Sequence, residues 1–412
     1  MGPDMWPDST SPDAAAVLPE RAQAAAGGAK TILFANTDWY LYNFRRSLAL
    51  AAQAAGYEVL LISPTGEYGP RLRELGLRWE PLSGMDRRSL NPLRELRLLI
   101  ELIALFRRER PALVHNFTIK CAVYGSLAAM ASGIPARINA VAGLGYVFAS
   151  NAPRARLLRP LVRGLMRFAL RGKRARLILQ NHDDAAMFTS HGLIEPAHLR
   201  VILGSGVDCS RFVPRNRPAN DPPSVLLAAR LLWEKGLAEY VQASRSLRAR
   251  GRTVRFLLAG ASDAGNPAAV PEATVRGWVE EGLVEWIGHV DDMPALFASV
   301  DIVVLPSYYR EGVPKSLIEA GACATPLIST DMPGCRDAVA DGVNGLIVPP
   351  RDAEALCAAI ERLLDAPELA RQFGLAARVR ALAEFDDRIV IRRTLETWDE
   401  VLDEPLGVPA TR

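Results

Sequence analysis

Short apolar runs recur along this chain, each bounded by polar or turn residues and followed by longer helix-periodic sequence, and this recurrence restricts the fold more than any other feature. Thr31–Ala35 (TILFA) is such a run, Phe44–Ala55 follows with helical spacing and stops at Gly56, and Glu58–Ser63 is the next run. A strand buried on both faces reads as continuous apolar sequence, and strands alternating with helices build parallel sheets. The alternation continues through helix Leu93–Arg108, strand Ala112–His115, helix Tyr124–Ala131 and strands Ala136–Val141 and Leu177–Gln180. It restarts after the proline-rich Pro214–Pro223 with strands at Val225–Ala229, Phe256–Ala259, Val284–Ile287, Asp301–Leu305, Pro326–Ser329 and within Gly342–Val348. The expected fold class is α/β, with two Rossmann-like β/α/β domains facing across a cleft.

A chain of 412 residues is too long for one ordinary core, which agrees with two domains. The expected divisions are a disordered tail over 1–29, a first domain over 30–205, a second over 206–385, and a helix in 386–412 that crosses back to the first. The tail is rich in Ala, Pro and Asp and lacks the basic and apolar segments of a signal peptide. No apolar run reaches the ~18 residues of a transmembrane helix. Five cysteines without paired spacing and a net charge of +3 give no reason to expect a disulfide framework, a metal site or a nucleic-acid partner.

The loop after the first strand, Asn36–Asn43, has no glycine, so the G-x-G-x-x-G turn of a dinucleotide site is missing. Trp39 and Tyr40 there either receive a bulkier ligand or cap the core. In open α/β sheets ligands sit beyond the carboxyl ends of the strands. Asn36, His115, Thr118, Lys120, Gly143 and Gly145 are therefore expected on one rim. Asn151–Arg176 carries nine basic residues and no acid, with arginines 156, 159, 163 and 167 at helical spacing. Two readings stay open for it: a helix on an anionic membrane surface, or a solvated helix on its own domain.

Pro306–Ala324 (PSYYREGVPKSLIEAGACA) supplies the chemistry. Glu311 belongs to a turn, and Glu319 to a helix that starts after Pro314. The N–H groups of such a helix start suit anions and hydroxyls. Arg230 and Lys235 flank the loop after Val225–Ala229 and offer two cations at the same rim.

RLLWEKG together with PSYYREGVPKSLIEAGA resembles the donor-binding half of retaining glycosyltransferases of the GT-B fold, family four. HNFTIK, YGSLAAMASGIP and NAVAGLGYVF resemble the acceptor half of bacterial members that act on polyprenyl-diphosphate-linked sugars. The resemblance covers nearly all of Lys30–Leu402. It implies that Arg230 and Lys235 bind the donor diphosphate, that Glu319 holds ribose hydroxyls, and that Glu311 faces the donor sugar. It also implies that N–H groups over Gly312, Val313, Pro314, Lys315, Ser316 and Leu317 line the pocket, although proline has no N–H to give. His115 matches a family histidine beside the donor sugar. The expected partners are a nucleotide-sugar, with UDP as the nucleotide, a lipid-linked saccharide acceptor and an anionic membrane, with no metal and no cofactor. The expected location is peripheral, on the inner face of the bacterial cell membrane. A nucleotide-sugar epimerase, a phosphorylase or a non-catalytic binding subunit on the same fold remains an alternative.

Overall fold

The computed structural model describes residues 28–86, 89, 91–141, 153–215, 220–263 and 265–403, without the side chains of 153–159 and 161. Most of the N-terminal tail, together with Gly143 and Gly145, lies outside the described residues. The first sheet contains β1 (Lys30–Phe34), β2 (Glu58–Pro64), β3 (Arg78–Leu82), β4 (Leu113–Phe117), β5 (Ala136–Val141), β6 (Ala175–Leu179) and β7 (Leu199–Val201). The second contains β8 (Ser224–Ala228), β9 (Arg255–Ala259), β10 (Glu285–Gly288), β11 (Ile302–Leu305), β12 (Leu327–Thr330) and β13 (Gly345–Val348). Their orders are β3-β2-β1-β4-β5-β6-β7 and β10-β9-β8-β11-β12-β13, with every pairing parallel. In each sheet the order reverses beside the first strand, which opens a crevice at the carboxyl ends.

Alternate residues of the first-sheet strands feed two layers. Ile32, Phe34, Leu60 and Val114 pack against Leu98, Leu102 and Phe106 of α1 (Pro92–Glu109) and Ala128 of α2 (Ile119–Ala131). α3 (Pro153–Ala169) extends this layer beside α2. On the opposite face Leu33, Leu61 and Phe117 meet the helix Arg46–Ala54 and the side chains of Val390, Leu395, Trp398 and Val401. The last four belong to α6 (Asp387–Asp403), which closes the core of the first domain from the far end of the chain. α4 (His182–Ser190) follows β6, and α5 (Lys315–Ala322) follows β11.

The chain passes between domains twice, and the passages lie side by side. Val207 N donates to Phe385 O (2.9 Å) and Asp387 N to Val207 O (2.9 Å). Burial, with Asp208 and Asp386 nearby, pushes the Asp387 carboxyl up to about 6. Ionising it costs more in the folded state, so this group's contribution falls as pH rises from about 4 to about 6. Asp387→Asn is expected to stabilise the protein above pH 7 by about 1–2 kcal/mol, discounted for partial exposure. The gain should vanish as pH approaches 4. An equal thermal shift at both ends of that range would refute the assignment.

Two strands, β3 and β7, lie where no strand was expected, because Arg78, Glu80 and Pro81 interrupt the first and the second is only three residues long. β4 runs two residues past His115, which moves that residue from the rim into the sheet.

Candidate active site

The loop after β8 turns through Trp233–Lys235 and closes at Gly236, whose φ is +80°. A Cβ on Gly236 would stand 2.1 Å from Pro306 O, so only glycine lets this loop lie against the chain leaving β11. The approach places the Lys235 ammonium on the Glu311 carboxylate as an ion pair. Ser307 Oγ donates to the same carboxylate oxygen at 3.0 Å. The Glu311–Gly312 turn is seated on Gly334, where a Cβ would meet Gly312 O at 1.7 Å. Glu311 N donates to Pro333 O at 3.2 Å. Lys235 and Glu311 are thus held in one partly buried cluster by backbone packing on both sides.

α5 begins at Lys315 with Pro314 at the cap and no side chain capping it. Leu317 N and Ile318 N turn back to Pro314 O (3.2 and 3.4 Å), which leaves the N–H groups of Lys315 and Ser316 without a carbonyl inside the helix to receive them. Val313 and Leu317 are buried, so their side chains hold the helix start while Ser316 stays half-buried. Lys315 Nζ lies 3.6 Å from Glu319 Oε1. Burial lowers the lysine pKa and raises that of the glutamate, and the pair's attraction opposes both shifts. Lys315 Nζ also donates to Asn43 O (2.8 Å) and sits 4.8 Å above the Phe44 ring, tying α5 to the first domain.

Arg230 is the more exposed cation and pairs with Asp263 at 2.7 Å. Burial raises the Glu234 carboxyl, with the charges of Lys235, Glu311 and Arg230 acting on it as lesser causes.

The first domain contributes residues that the sequence pattern did not single out. Asn181 Nδ2 donates to Glu311 O (3.0 Å) and to Asp184 Oδ2 (3.0 Å). Asp184 pairs with Arg310 at 3.0 Å, and Asp183 with Arg336 at 3.0 Å. The acids at the start of α4 thus grip the second domain on either side of Glu311. Arg45, within a π-helical stretch over Leu41–Arg45, is buried with its guanidinium 4.5 Å over the Phe117 ring. It donates to the Tyr40 hydroxyl at 2.9 Å and has no carboxylate partner among the described residues. Asn-His-Asp-Asp is legible as a helix cap with acids in its first turn, but nothing local says that Arg310 will meet it.

Two expected site residues are engaged within the first domain. His115 is buried: it is 1 % exposed in β4, and its Nδ1 accepts from Trp398 Nε1 at 3.1 Å. Burial, then the Arg45 charge, holds its pKa well below the ordinary histidine value, so the ring is neutral. Lys120 is likewise not free for a ligand. Its Nζ donates to Asp86 O (2.7 Å), Ser89 O (3.0 Å) and Glu95 Oε1 (2.7 Å), which tethers the loop after β3. Thr118 caps α2 at the rim with φ +75°, a conformation that costs a β-branched residue on the order of 1–3 kcal/mol. Asn36 is half-buried just beyond β1. Among the described residues no group of three or more His, Cys, Asp or Glu side chains is arranged to hold a metal ion, and no helix is long and apolar enough to cross a membrane.

Residues 30–182 match the family model "Glycosyl transferase 4-like", and residues 222–366 match "Glycosyl transferases group 1". The chain is 29 % identical over 374 residues to the N,N'-diacetylbacillosaminyl-diphospho-undecaprenol alpha-1,3-N-acetylgalactosaminyltransferase of Campylobacter jejuni, covering 88 % of this chain and 96 % of that one. It is 26 % identical over 339 residues to the capsular polysaccharide biosynthesis glycosyltransferase CapM of Staphylococcus aureus, covering 78 % and 85 %. A glycosyltransferase structure from Rickettsia africae superposes with a TM-score of 0.75 at 18 % identity, over 92 % of this chain and 100 % of that chain. The Anabaena protein HepE, solved with UDP and glucose, gives a TM-score of 0.70 at 17 % identity, over 89 % and 98 %. With two parallel-sheet domains of this topology and both family models matched in order, the chain belongs to the family-four glycosyltransferases of the GT-B fold.

Proposed function

We propose that this glycosyltransferase moves a hexose or N-acetylhexosamine from a UDP-sugar to a polyprenyl-diphosphate-linked saccharide, with retention, in the assembly of a surface polysaccharide or glycan. The observation that carries the donor side is the Lys235–Glu311–Ser307 cluster beside the uncapped start of α5. The Campylobacter relative, whose name describes a diphospho-undecaprenol acceptor, supports the acceptor side.

In this reading the donor diphosphate lies between Lys235, Arg230 and the first N–H groups of α5. Arg230, itself exposed, exchanges its partner Asp263, whose carboxylate is largely covered, for phosphate. As the sugar–phosphate bond breaks, the anomeric carbon gains oxocarbenium character and negative charge gathers on the leaving diphosphate. Two cations and a helix start oppose that charge without needing a divalent ion. Glu311, fixed by Lys235 and Ser307, accepts hydrogen bonds from donor-sugar hydroxyls, and Glu319 accepts from the ribose. The acceptor hydroxyl attacks from the face the diphosphate leaves, and a departing phosphate oxygen takes its proton. The basic stretch 151–176 rests on an anionic membrane, on the cytoplasmic side where nucleotide-sugars are made. Membership in a transferase family favours transfer over epimerisation or a binding-only role.

Glu319→Ala is expected to weaken UDP binding by roughly ten- to a hundredfold, the size of a lost charge-assisted hydrogen-bond pair. Isothermal calorimetry with UDP would check this, alongside a thermal-shift screen of nucleotide-sugars against the parent protein. Unchanged UDP affinity in the variant would remove Glu319 from the nucleotide site.

A further inference from the structure

The outward face of α1 carries a row of large apolar side chains that stand exposed among the described residues. Leu93 is 78 % exposed, Leu96 54 % and Ile100 59 %. Positions three and seven apart share one helix face, so the three form a single stripe about 10 Å long. Arg97, Ala104 and Arg107 continue the same outward face. The acids of this helix are turned away and engaged. Glu95 holds Lys120, Glu101 accepts from Ser83 N (2.8 Å) and Gly84 N (2.7 Å), and Glu109 is buried against Lys30 and Arg78. The outer surface of α1 is therefore apolar at one end and cationic beyond, and the partly exposed Asp86 beside its start is paired with Arg94 at 3.2 Å.

Position in the fold gives this stripe its meaning. α1, α2 and α3 form one layer, with α2 in the middle. On α3, Arg163, Arg167 and Phe168 point outward while Met166 and Ala169 are buried. α1 starts after β3, so Leu93 and Leu96 lie towards the carboxyl ends of the strands, the edge where the cleft opens. A soluble surface seldom leaves such a stripe uncovered without a partner. A second copy of the chain would set arginine rows against arginine rows, whereas an anionic lipid surface complements both the charge and the apolar stripe.

We propose that α1 is a membrane-seating element, with Leu93, Leu96 and Ile100 immersed at the headgroup–acyl boundary of an anionic bilayer and the arginines of α1 and α3 on its headgroups. This rests on the lipid-linked acceptor proposed above, and it sets the mouth of the cleft at the height of a membrane-embedded diphosphate.

The test uses the full chain carrying Leu93→Ser, Leu96→Ser and Ile100→Ser together, in flotation with vesicles of phosphatidylethanolamine and phosphatidylglycerol. Binding is expected to fall roughly tenfold or more, with an unchanged unfolding temperature because the positions are exposed. Arg163→Glu with Arg167→Glu should instead remove the salt-sensitive part of the binding. In turnover, the triple serine variant should lose roughly tenfold or more on a long-chain polyprenyl acceptor in vesicles and keep its rate on a short-chain, water-soluble analogue. Equal vesicle binding by parent and triple variant, or none by the parent, overturns the proposal. So does a parent dimer that the triple variant dissolves in sedimentation. A parent inactive on both acceptors but bound to vesicles through α1 would overturn the acceptor assignment and leave the seating element standing.

Discussion

Lys235→Ala is expected to lower sugar transfer by about a thousandfold while the unfolding temperature stays close to that of the parent. A preorganised charge aimed at a developing anion contributes on the order of a hundred- to a thousandfold. Here the same ammonium also fixes Glu311, so in the proposed donor site one truncation would remove leaving-group stabilisation and loosen the carboxylate as well. Ser307 would then be left as the side-chain partner of the Glu311 carboxylate. The fold should survive, because the loop is positioned by Gly236 against Pro306 rather than by the lysine. Combining Lys235→Ala with Glu311→Gln should cost much less than the sum of the single losses, since the two act as one unit. Steady-state transfer with a UDP-sugar screen checks this. A Lys235→Ala enzyme within a few-fold of the parent would remove the cluster from the chemistry.

Trp398→Ala is expected to destabilise the first domain by about 3–5 kcal/mol, the usual effect of emptying a large aromatic site in a core. Trp398 is fully buried, packs edge-on against Tyr57 with ring centroids 5.2 Å apart, and gives His115 its hydrogen bond. Its removal leaves a cavity and a buried ring nitrogen without its donor. Trp398→Phe keeps most of the volume and should cost clearly less. Urea unfolding followed by a probe in each domain would place the loss, and two transitions are to be expected in a two-domain chain. A shift confined to the second domain would show that α6 does not support the first.

The alternation of strands and helices was legible because a parallel strand covered on both faces needs continuous apolar sequence, as in TILFA and Val225–Ala229. The turn around Glu311 and the helix after Pro314 were legible for the same local reasons, as proline and glycine punctuate them. The burial of His115 was not legible because a polar residue at the end of an apolar run reads as a loop. Its actual partner, Trp398, is 283 residues away in sequence. Lys120 was misread because a lysine at a helix start looks free until the loop it ties, through Asp86 and Ser89, is in place. Asp183, Asp184 and Arg45 could not be assigned to the site, since their roles depend on how the two domains face each other.

The placement of α6 bears on how the protein is made. A chain leaves the ribosome amino end first, and domains begin to fold as they emerge. The second domain's strands and their covering helices are all synthesised by Phe385, before α6 exists. The first domain, although begun earlier, has no Val390, Leu395, Trp398 or Val401 until the last stretch of synthesis. Its β4–β6 face therefore stays open throughout elongation, and the domain that starts first finishes last. A release fragment lacking α6 would carry a complete second domain and an unsealed first domain, which is a substrate for chaperones.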